Sequence, residues 1–481
     1  MRRVNALEIF EHARKLHADG NLDGAERIYH QLLTHNINHL DFVLQIAQIH
    51  AQRGNHGLAI VLYKTVLEAH PELAKIWNNL GISLKLSHYN QSAELAFQRA
   101  FELEPDNVDF VSNISSIYVN AGEPDKIIEW ADKAIALGPK DHAGVVQAEW
   151  HKALGLLEKK IYAQGWDCAE ARLKPNSGCK VEVRNYRKDG TTHWWDGKSN
   201  GLVVVHGEQG LGDEIMFSSC LPDAVKTGAG IIFECAPRLE SLFKRSFPEV
   251  EVIGTHNVNG EDLGGRHVDY KCAIGSLARF YRRSESDFPG KSFLIPDPQK
   301  VELYRERLES LGSRPKIGIG WQGGVIKTRV DLRSLFLQQL LPVLNQEADF
   351  LSLQYTPAAP EEVERFFSDT GIVIHHWPEA ATGLDMDDQA ALVANLDLVI
   401  SVCQTNNHVS GGLGVPCWVL TPSRPSWREG MHGDMPWYRS VKLYRQIGDD
   451  WEGIISTVAT DLKGTIDAYQ RKLQGTEQAV A

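Results

Sequence analysis

From residue 6 onward the apolar positions recur at helical spacing, and the helices they predict recur in turn. Gly20, Gly54, His88 and Gly122 stand 34 residues apart. Ala25, Ala59, Ala93 and Ile127 keep the same interval, as do Tyr29, Tyr63, Phe97 and Ala131. Pro71, Pro105 and Pro139 fall at the ends of successive units, and Trp77, Leu80 and Gly81 open the first helix of one unit. A small residue and an aromatic at i and i+4 share one helix face. The small residue lets a neighbouring helix approach, and the aromatic fills the groove beside it. The period holds over about residues 6–140, and a fifth, irregular unit ends near Gly165 and Trp166. Such units do not bury their apolar faces alone, so the pattern predicts a stacked α-solenoid over 1–173, a protein-binding architecture.

Residues 174–200 break the pattern. They are polar, with one aromatic pair, Trp194 and Trp195, which predicts a linker docked through its tryptophans. From 201 the pattern becomes short apolar runs separated by helical ones. Strands are predicted at 202–206, 230–235, 250–254, 316–321, 349–354, 371–376, 397–402 and 417–421. Apolar strands with little alternation, joined by helices, indicate parallel sheets covered on both faces. The expected class is therefore α followed by α/β, with two doubly wound domains at 201–299 and 300–473. The two prolines of 293-FLIPDPQ-299 mark a hinge between them. A final helix over about 450–473 carries Ile454, Ile455, Val458, Leu462, Ile466 and Tyr469 on one face and should pack back onto the second domain. The tail, 474–481, should fray. In such sheets ligands gather at the carboxyl ends of the strands.

Composition narrows the function classes. The 481 residues carry a formal net charge of −12, which argues against a general nucleic-acid binder or an anionic-membrane binder. Seven cysteines, none in a C-x-x-C pair, predict a reduced protein without disulfides or a zinc site. The charged N-terminus lacks the apolar core of a secretory signal, and no run is long enough to span a membrane. A cytoplasmic location is the expectation.

One loop stands out. In 207-GEQGLGDEIMF-217, three glycines precede an acid between a strand and a helix. A bare turn needs fewer glycines; a loop approaching a phosphate or sugar needs the room they leave. The competing reading is that Asp213 caps its helix. The loop is not a complete dinucleotide fingerprint. The acids of 385-DMDD-388 resemble a metal clamp, but they precede a clear helix and are better read as its cap; no metal site is expected.

The 34-residue array resembles the tetratricopeptide repeat. Taken together, the array ending in Gly165-Trp166, 206-HGEQGLGDEIMF-217, 319-IGWQGG-324, 397-DLVISVCQTNNHVSGGLGVPCWVL-420 and 436-PWYRSVKLYRQ-446 resemble bacterial tetratricopeptide-repeat proteins whose C-terminal domain is related to the lipopolysaccharide heptosyltransferases. That resemblance implies a GT-B fold of two Rossmann-like halves, the acceptor side at 201–299 and the nucleotide-sugar side at 300–473. It implies a metal-independent glycosyltransferase with a nucleotide sugar as co-substrate and no permanently bound cofactor. The repeats would recruit a protein acceptor, with flagellin the class this architecture favours, for transfer to Ser or Thr.

The resemblance assigns Asp213 as catalytic base, with Glu208 and Glu214 as backup acids. Donor-site contacts are expected from Gln209, Gly210, Gly212, Trp321, Lys327, Arg329, Arg333, Gln354, Thr405, Asn406, Asn407, His408 and Gly411. The basic residues would neutralise a leaving phosphate, and the helix starting near Asn406 would offer its N–H groups. The chain departs from the family at Cys403, where an Asp is usual. Two alternatives stay open: a lipid or polysaccharide acceptor, and a non-catalytic scaffold. The sugar and the nucleotide are not legible.

Overall fold

A computed structural model describes residues 6–34, 39–179, 181, 184–187, 190–255, 263–324, 330–381, 385–448 and 450–480. The chain forms two compact units, Met1–Leu156 with Lys174–Cys179, and Leu157–Leu173 with Lys180–Ala481.

The first unit is a tetratricopeptide-like helical repeat. Helices Ala6–Ala18, Leu22–Leu33, His39–Gln52, His56–Ala69, Ala74–Leu86, Asn90–Leu103, Val108–Ala121 and Pro124–Leu137 alternate at the predicted period, and Ala143–Glu158 continues them. The glycine positions of the sequence pattern are the turns inside each pair: Gly20, Gly54 and Gly122 have φ of 80°, 80° and 68°. His88 holds the same turn at φ 64°, where a side chain crowds the backbone. The small and aromatic positions are the helix contacts: Ala25, Ala59 and Ala93 are fully buried beside Tyr29, Tyr63 and Phe97. Gly81 lies so close to the Phe97 ring that a Cβ there would come within 2.6 Å of it.

The helix Tyr162–Ala169, expected as part of the array, clusters with the second unit, whereas 174–179 clusters with the first. The reason is Trp166. Its indole is buried against Phe217, Trp427 and Trp437, all in the second unit.

The second unit is α/β. Among the described residues, its strands are β1 (His193–Trp194), β2 (Leu202–His206), β3 (Gly230–Cys235), β4 (Glu251–Gly254), β5 (Tyr270–Ala273), β6 (Lys316–Gly320), β7 (Asp349–Ser352), β8 (Ile374–His375), β9 (Leu398–Val402), β10 (Cys417–Thr421) and β11 (Val441–Arg445). They form two sheets, ordered β1-β5-β2-β3-β4 and β11-β10-β9-β6-β7-β8. Every ladder pair is parallel. The central strands are buried along their length, as their unbroken apolar runs required.

Three strands lie outside the predicted set. β1 falls in the expected linker, where Trp195 packs on Phe280 and its backbone N–H donates to the Lys271 carbonyl. β5 (YKCA) and β11 (VKLYR) carry a lysine each and read as amphipathic; pairing with buried neighbours makes them strands. The final helix, Glu452–Val480, lays Ile454, Ile455, Val458, Leu462 and Ile466 on the second sheet's core. It extends through most of the segment expected to fray, since no proline interrupts it.

The expected hinge at 293–299 is braced on both sides. The Phe293 and Leu294 N–H groups donate to the Gly412 carbonyl, and the Ile295 N–H donates to Ser246 Oγ. Arg245 grips Asp387 with two bonds of 2.7 and 3.0 Å. Asp385 caps its helix by accepting the Asp387 N–H, so the acidic run is a cap.

Opposite changes at equivalent turns should act oppositely. His88→Gly relieves a left-handed side chain and should stabilise the repeat by about 0.5–1 kcal/mol. Gly54→Ala should destabilise it by a similar amount. Urea unfolding followed by circular dichroism measures both; equal midpoints for the three proteins would contradict the turn assignment.

Candidate functional site

Each sheet has one place where the strand order reverses. From β2 the chain builds outward through β3 and β4, then returns to place β5 on the other side. From β6 it builds through β7 and β8, then returns with β9 to β11. Ligands of parallel α/β sheets bind outside the carboxyl ends of strands at such reversals. The glycine loop follows β2, and the segments after β6 and β9 flank the second reversal.

Helix Leu211–Ser218 starts directly after the glycine loop, with Gly210 at its N-cap and no side chain capping its first turn. Asp213 therefore is not the cap of its own helix. Its Oδ1 accepts from Arg428 Nε at 2.7 Å, and a second guanidinium nitrogen also reaches it. Arg428 Nη2 donates further to Gln209 Oε1 at 3.3 Å. Gln209 itself sits at φ 67°, a left-handed backbone held by this loop against its steric preference. The Arg428 side chain lies over the Trp427 ring, 4.6 Å from its centroid. The Asp213 and Arg428 side chains keep 13% and 21% of their accessibility, so the pair is sheltered but open on one side.

The helix Thr405–Leu413 begins after β9, also without a side-chain cap. It packs against the Leu211–Ser218 helix. Gly212 makes the approach possible: a Cβ there would stand 2.8 Å from His408 Cδ2. His408 is buried, with Nδ1 3.1 Å from the Tyr438 hydroxyl. Burial first, and then the nearby Arg428 charge, push its pKa down to about 4, so the ring is neutral near pH 7. Gly411 backs onto the Tyr438 ring, where a Cβ would overlap it. The structure thus gives Gly411 a packing position away from the helix start.

The remaining expected contacts divide. Trp321 is fully buried, its indole donating to Glu362 at 2.6 Å. Gln354 is also fully buried; its Oε1 accepts the Trp321 and Gln322 N–H groups, and its Nε2 donates to the Gln322 carbonyl. Asn406 is likewise engaged, with Nδ2 on the Leu353 carbonyl and Oδ1 on Gln389 Nε2. These three residues brace the loops. Thr405 is half-exposed at the helix start. Asn407 Oδ1 and Gln404 Oε1 are buried acceptors without a hydrogen-bond partner, and Arg333 Nε is a buried donor without one. Lys327 and Arg329 lie outside the described residues.

Cys403 is buried, its Sγ 3.9 Å from the Leu420 carbonyl. Burial, and next the Glu429 carboxylate, push the thiol pKa well up, so it stays protonated. Glu429 therefore places an acid beside Cys403.

The two backup acids have other duties. Glu208 is buried against Arg172, with bonds of 2.8 and 2.6 Å, and also accepts the Gly275 N–H. Burial opposes its charge, but Arg172 and Gly275 outweigh burial and hold its pKa below the usual range. Glu214 is buried under Gly207 and accepts the Ala236 N–H at 2.9 Å. Burial raises its pKa to about 7. Among the described residues no helix is long and apolar enough to cross a membrane, and no group of three or more His, Cys, Asp or Glu side chains is placed to hold a metal. Cys220, Cys235, Cys272, Cys403 and Cys417 are buried free thiols.

Arg428, Trp427 and Tyr438 are the site residues that sequence reasoning did not single out. The signal was modest: an arginine between Trp427 and Glu429 in a Pro- and Ser-containing loop after a buried strand. Only its return to Asp213, across 215 residues, gives it meaning.

No family model matches the chain. It is similar to Protein FlbA of Caulobacter vibrioides (strain ATCC 19089 / CIP 103742 / CB 15), with 29% identity over 429 residues, 84% of this chain and 70% of that protein. Among solved structures it is similar to MamA, at 24% identity and TM-score 0.30, over 34% of this chain and 92% of that one. It is also similar to YrrB, described as a TPR protein with an unusual peptide-binding site, at 17% identity and TM-score 0.30, over 35% of this chain and 87% of that one.

Glu214 generates a pH test. Its folded pKa, about 7, lies above its unpaired value of 4.5. Between the two the folded chain holds a proton that the unfolded chain has released. Its contribution to stability is therefore whole below pH 4.5 and is lost as pH rises through about 7. The buried His206, pushed down to about 4, acts in the opposite sense, so the comparison must be with the parent protein. Glu214→Gln should gain stability relative to the parent between pH 5 and pH 8, reaching on the order of 1–3 kcal/mol. Parallel melting-temperature curves for the two proteins would remove the assignment.

Proposed function

We propose that the second unit is a GT-B glycosyltransferase, two Rossmann-like halves that move a sugar from a nucleotide sugar to a hydroxyl, and that the helical array recruits a protein acceptor. The observation that carries this reading is the meeting of two sheet reversals. Asp213, at the start of the helix after β2, faces Arg428 and the uncapped helix Thr405–Leu413 of the other sheet.

In this reading the acceptor's Ser or Thr oxygen attacks the anomeric carbon and its proton passes to the Asp213 carboxylate. The bond from that carbon to the diphosphate oxygen breaks, and the nucleoside diphosphate leaves with the electron pair. The N–H groups at the start of the Thr405–Leu413 helix, with Arg428 and Arg333, meet the developing negative charge. These donors suffice in principle without a metal. Flagellin is the acceptor class proposed, on architecture alone. The competing reading, a non-catalytic scaffold, draws on Cys403 and on the carboxylate of Asp213 already being paired.

Thermal-shift binding with UDP, GDP, CDP and ADP and their sugars is the first test, since a bound ligand adds about RT ln(1 + [L]/Kd) to stability. One base should give a clear shift. With the matching nucleotide sugar, Asp213→Ala should lower release of the nucleoside diphosphate by about 10²–10⁴-fold without weakening donor binding. A folded protein that binds none of the panel would favour the scaffold.

A further inference from the structure

Arg428 has two claims on it. In the present structure its Nε and a second nitrogen both bond one carboxylate oxygen of Asp213, Oδ1. Its third contact, to Gln209 Oε1, is long at 3.3 Å. The guanidinium rests on Trp427, which is stacked on Phe217 with ring centroids 6.1 Å apart. The side chain is a fifth exposed. Its charge is also felt at His408, on the helix whose uncapped start lies at the second reversal. One guanidinium thus bonds a carboxylate of the first sheet and lies within electrostatic reach of His408, on the helix that follows β9 of the second.

While the guanidinium occupies Oδ1, that oxygen is not open to an acceptor hydroxyl. A diphosphate is a stronger partner for the same guanidinium: it carries more charge and offers paired oxygens to the planar fork. We propose that Arg428 is a two-position latch. It pairs with Asp213 while the site is empty and transfers to the donor's diphosphate when that binds, so that Asp213 becomes a free base only when a donor is in place. This rests on the glycosyltransferase reading above. Its consequence is order: donor first, acceptor deprotonation second, with the base masked in between.

The latch makes an unusual prediction. Asp213 competes with the donor for Arg428, so removing its charge should tighten nucleotide binding. Isothermal titration of the full chain with UDP, GDP, CDP and ADP is the experiment, with melting temperature and circular dichroism as the folding check. For the base that binds the parent, Asp213→Asn should bind about 3–10-fold more tightly, as expected for the loss of one competing ion pair. Asp213→Ser, a second neutral replacement, should do the same. Arg428→Gln should bind at least about 10-fold more weakly, and Arg428→Lys should fall between. In the double variant Asp213→Asn with Arg428→Gln, the gain should vanish, because the cycle isolates the pair.

Unchanged or weaker binding by both neutral replacements at Asp213, with the parent binding normally, overturns the latch and leaves the transferase reading standing. Normal binding by Arg428→Gln overturns it as well. If neither the parent nor the Asp213 variants bind any of the four nucleotides, the transferase reading fails, and the latch with it.

Discussion

The Trp166 indole organises the second unit. It donates from Nε1 to the Arg282 carbonyl at 2.8 Å and meets Phe217, Trp427 and Trp437 edge-on. Phe217 belongs to the helix that carries Asp213, four residues earlier and on the same face. Trp427 is the residue before Arg428, and Trp437 the residue before Tyr438. Four aromatic rings in one cluster therefore set the separation of the Asp213 carboxylate, the Arg428 guanidinium and the Tyr438 hydroxyl. Large rigid rings with few torsions fix such distances at low conformational cost. Three segments remote in sequence depend on this contact: the helix Tyr162–Ala169, the helix after β2, and the loop between β10 and β11.

Charge inside this unit follows a division of labour. The acids that hold architecture are fully engaged, as Glu208 is by Arg172 and Gly275, and Asp387 by Arg245. Such buried pairs are strongly felt when broken, though not strongly stabilising in total. The groups at the reversals are different. Asp213 is partly exposed and paired with Arg428, Thr405 is half-exposed, and Asn407 Oδ1 and Arg333 Nε lack partners. Polar atoms left unmatched in a sheltered place are costly in isolation.

Cys403 and Glu429 lie together near the second reversal. The side chain at 403 points into the region between β9 and β10, where the thiol stays protonated. Glu429 stands beside it, tied to Ser426 through the hydroxyl at 2.6 Å and through the backbone. A carboxylate thus stands near this reversal, beside the buried thiol. The same short loop supplies both Arg428 and Glu429, one to each reversal.

The 34-residue array was legible because its information is local and repeated: a left-handed turn at 20, 54, 88 and 122, and a small residue facing an aromatic one turn away. The eight apolar strands were legible for a similar reason, since a strand buried on both faces has little choice of composition. Strands β1, β5 and β11 were not, because pairing rather than composition makes them strands. At the site, the sequence by itself determined the glycine loop, the acid after it, and the short helix starting near Asn406, all set by neighbours along the chain. Only the tertiary structure decided that Asp213 is paired, that Arg428 is its partner, that Gln354 and Trp321 are bracing, and that Gly212 lies under His408. Those facts depend on side chains up to 215 residues apart meeting across two sheets. No pattern within a window of sequence carries such a distance; the packing around Trp166 does.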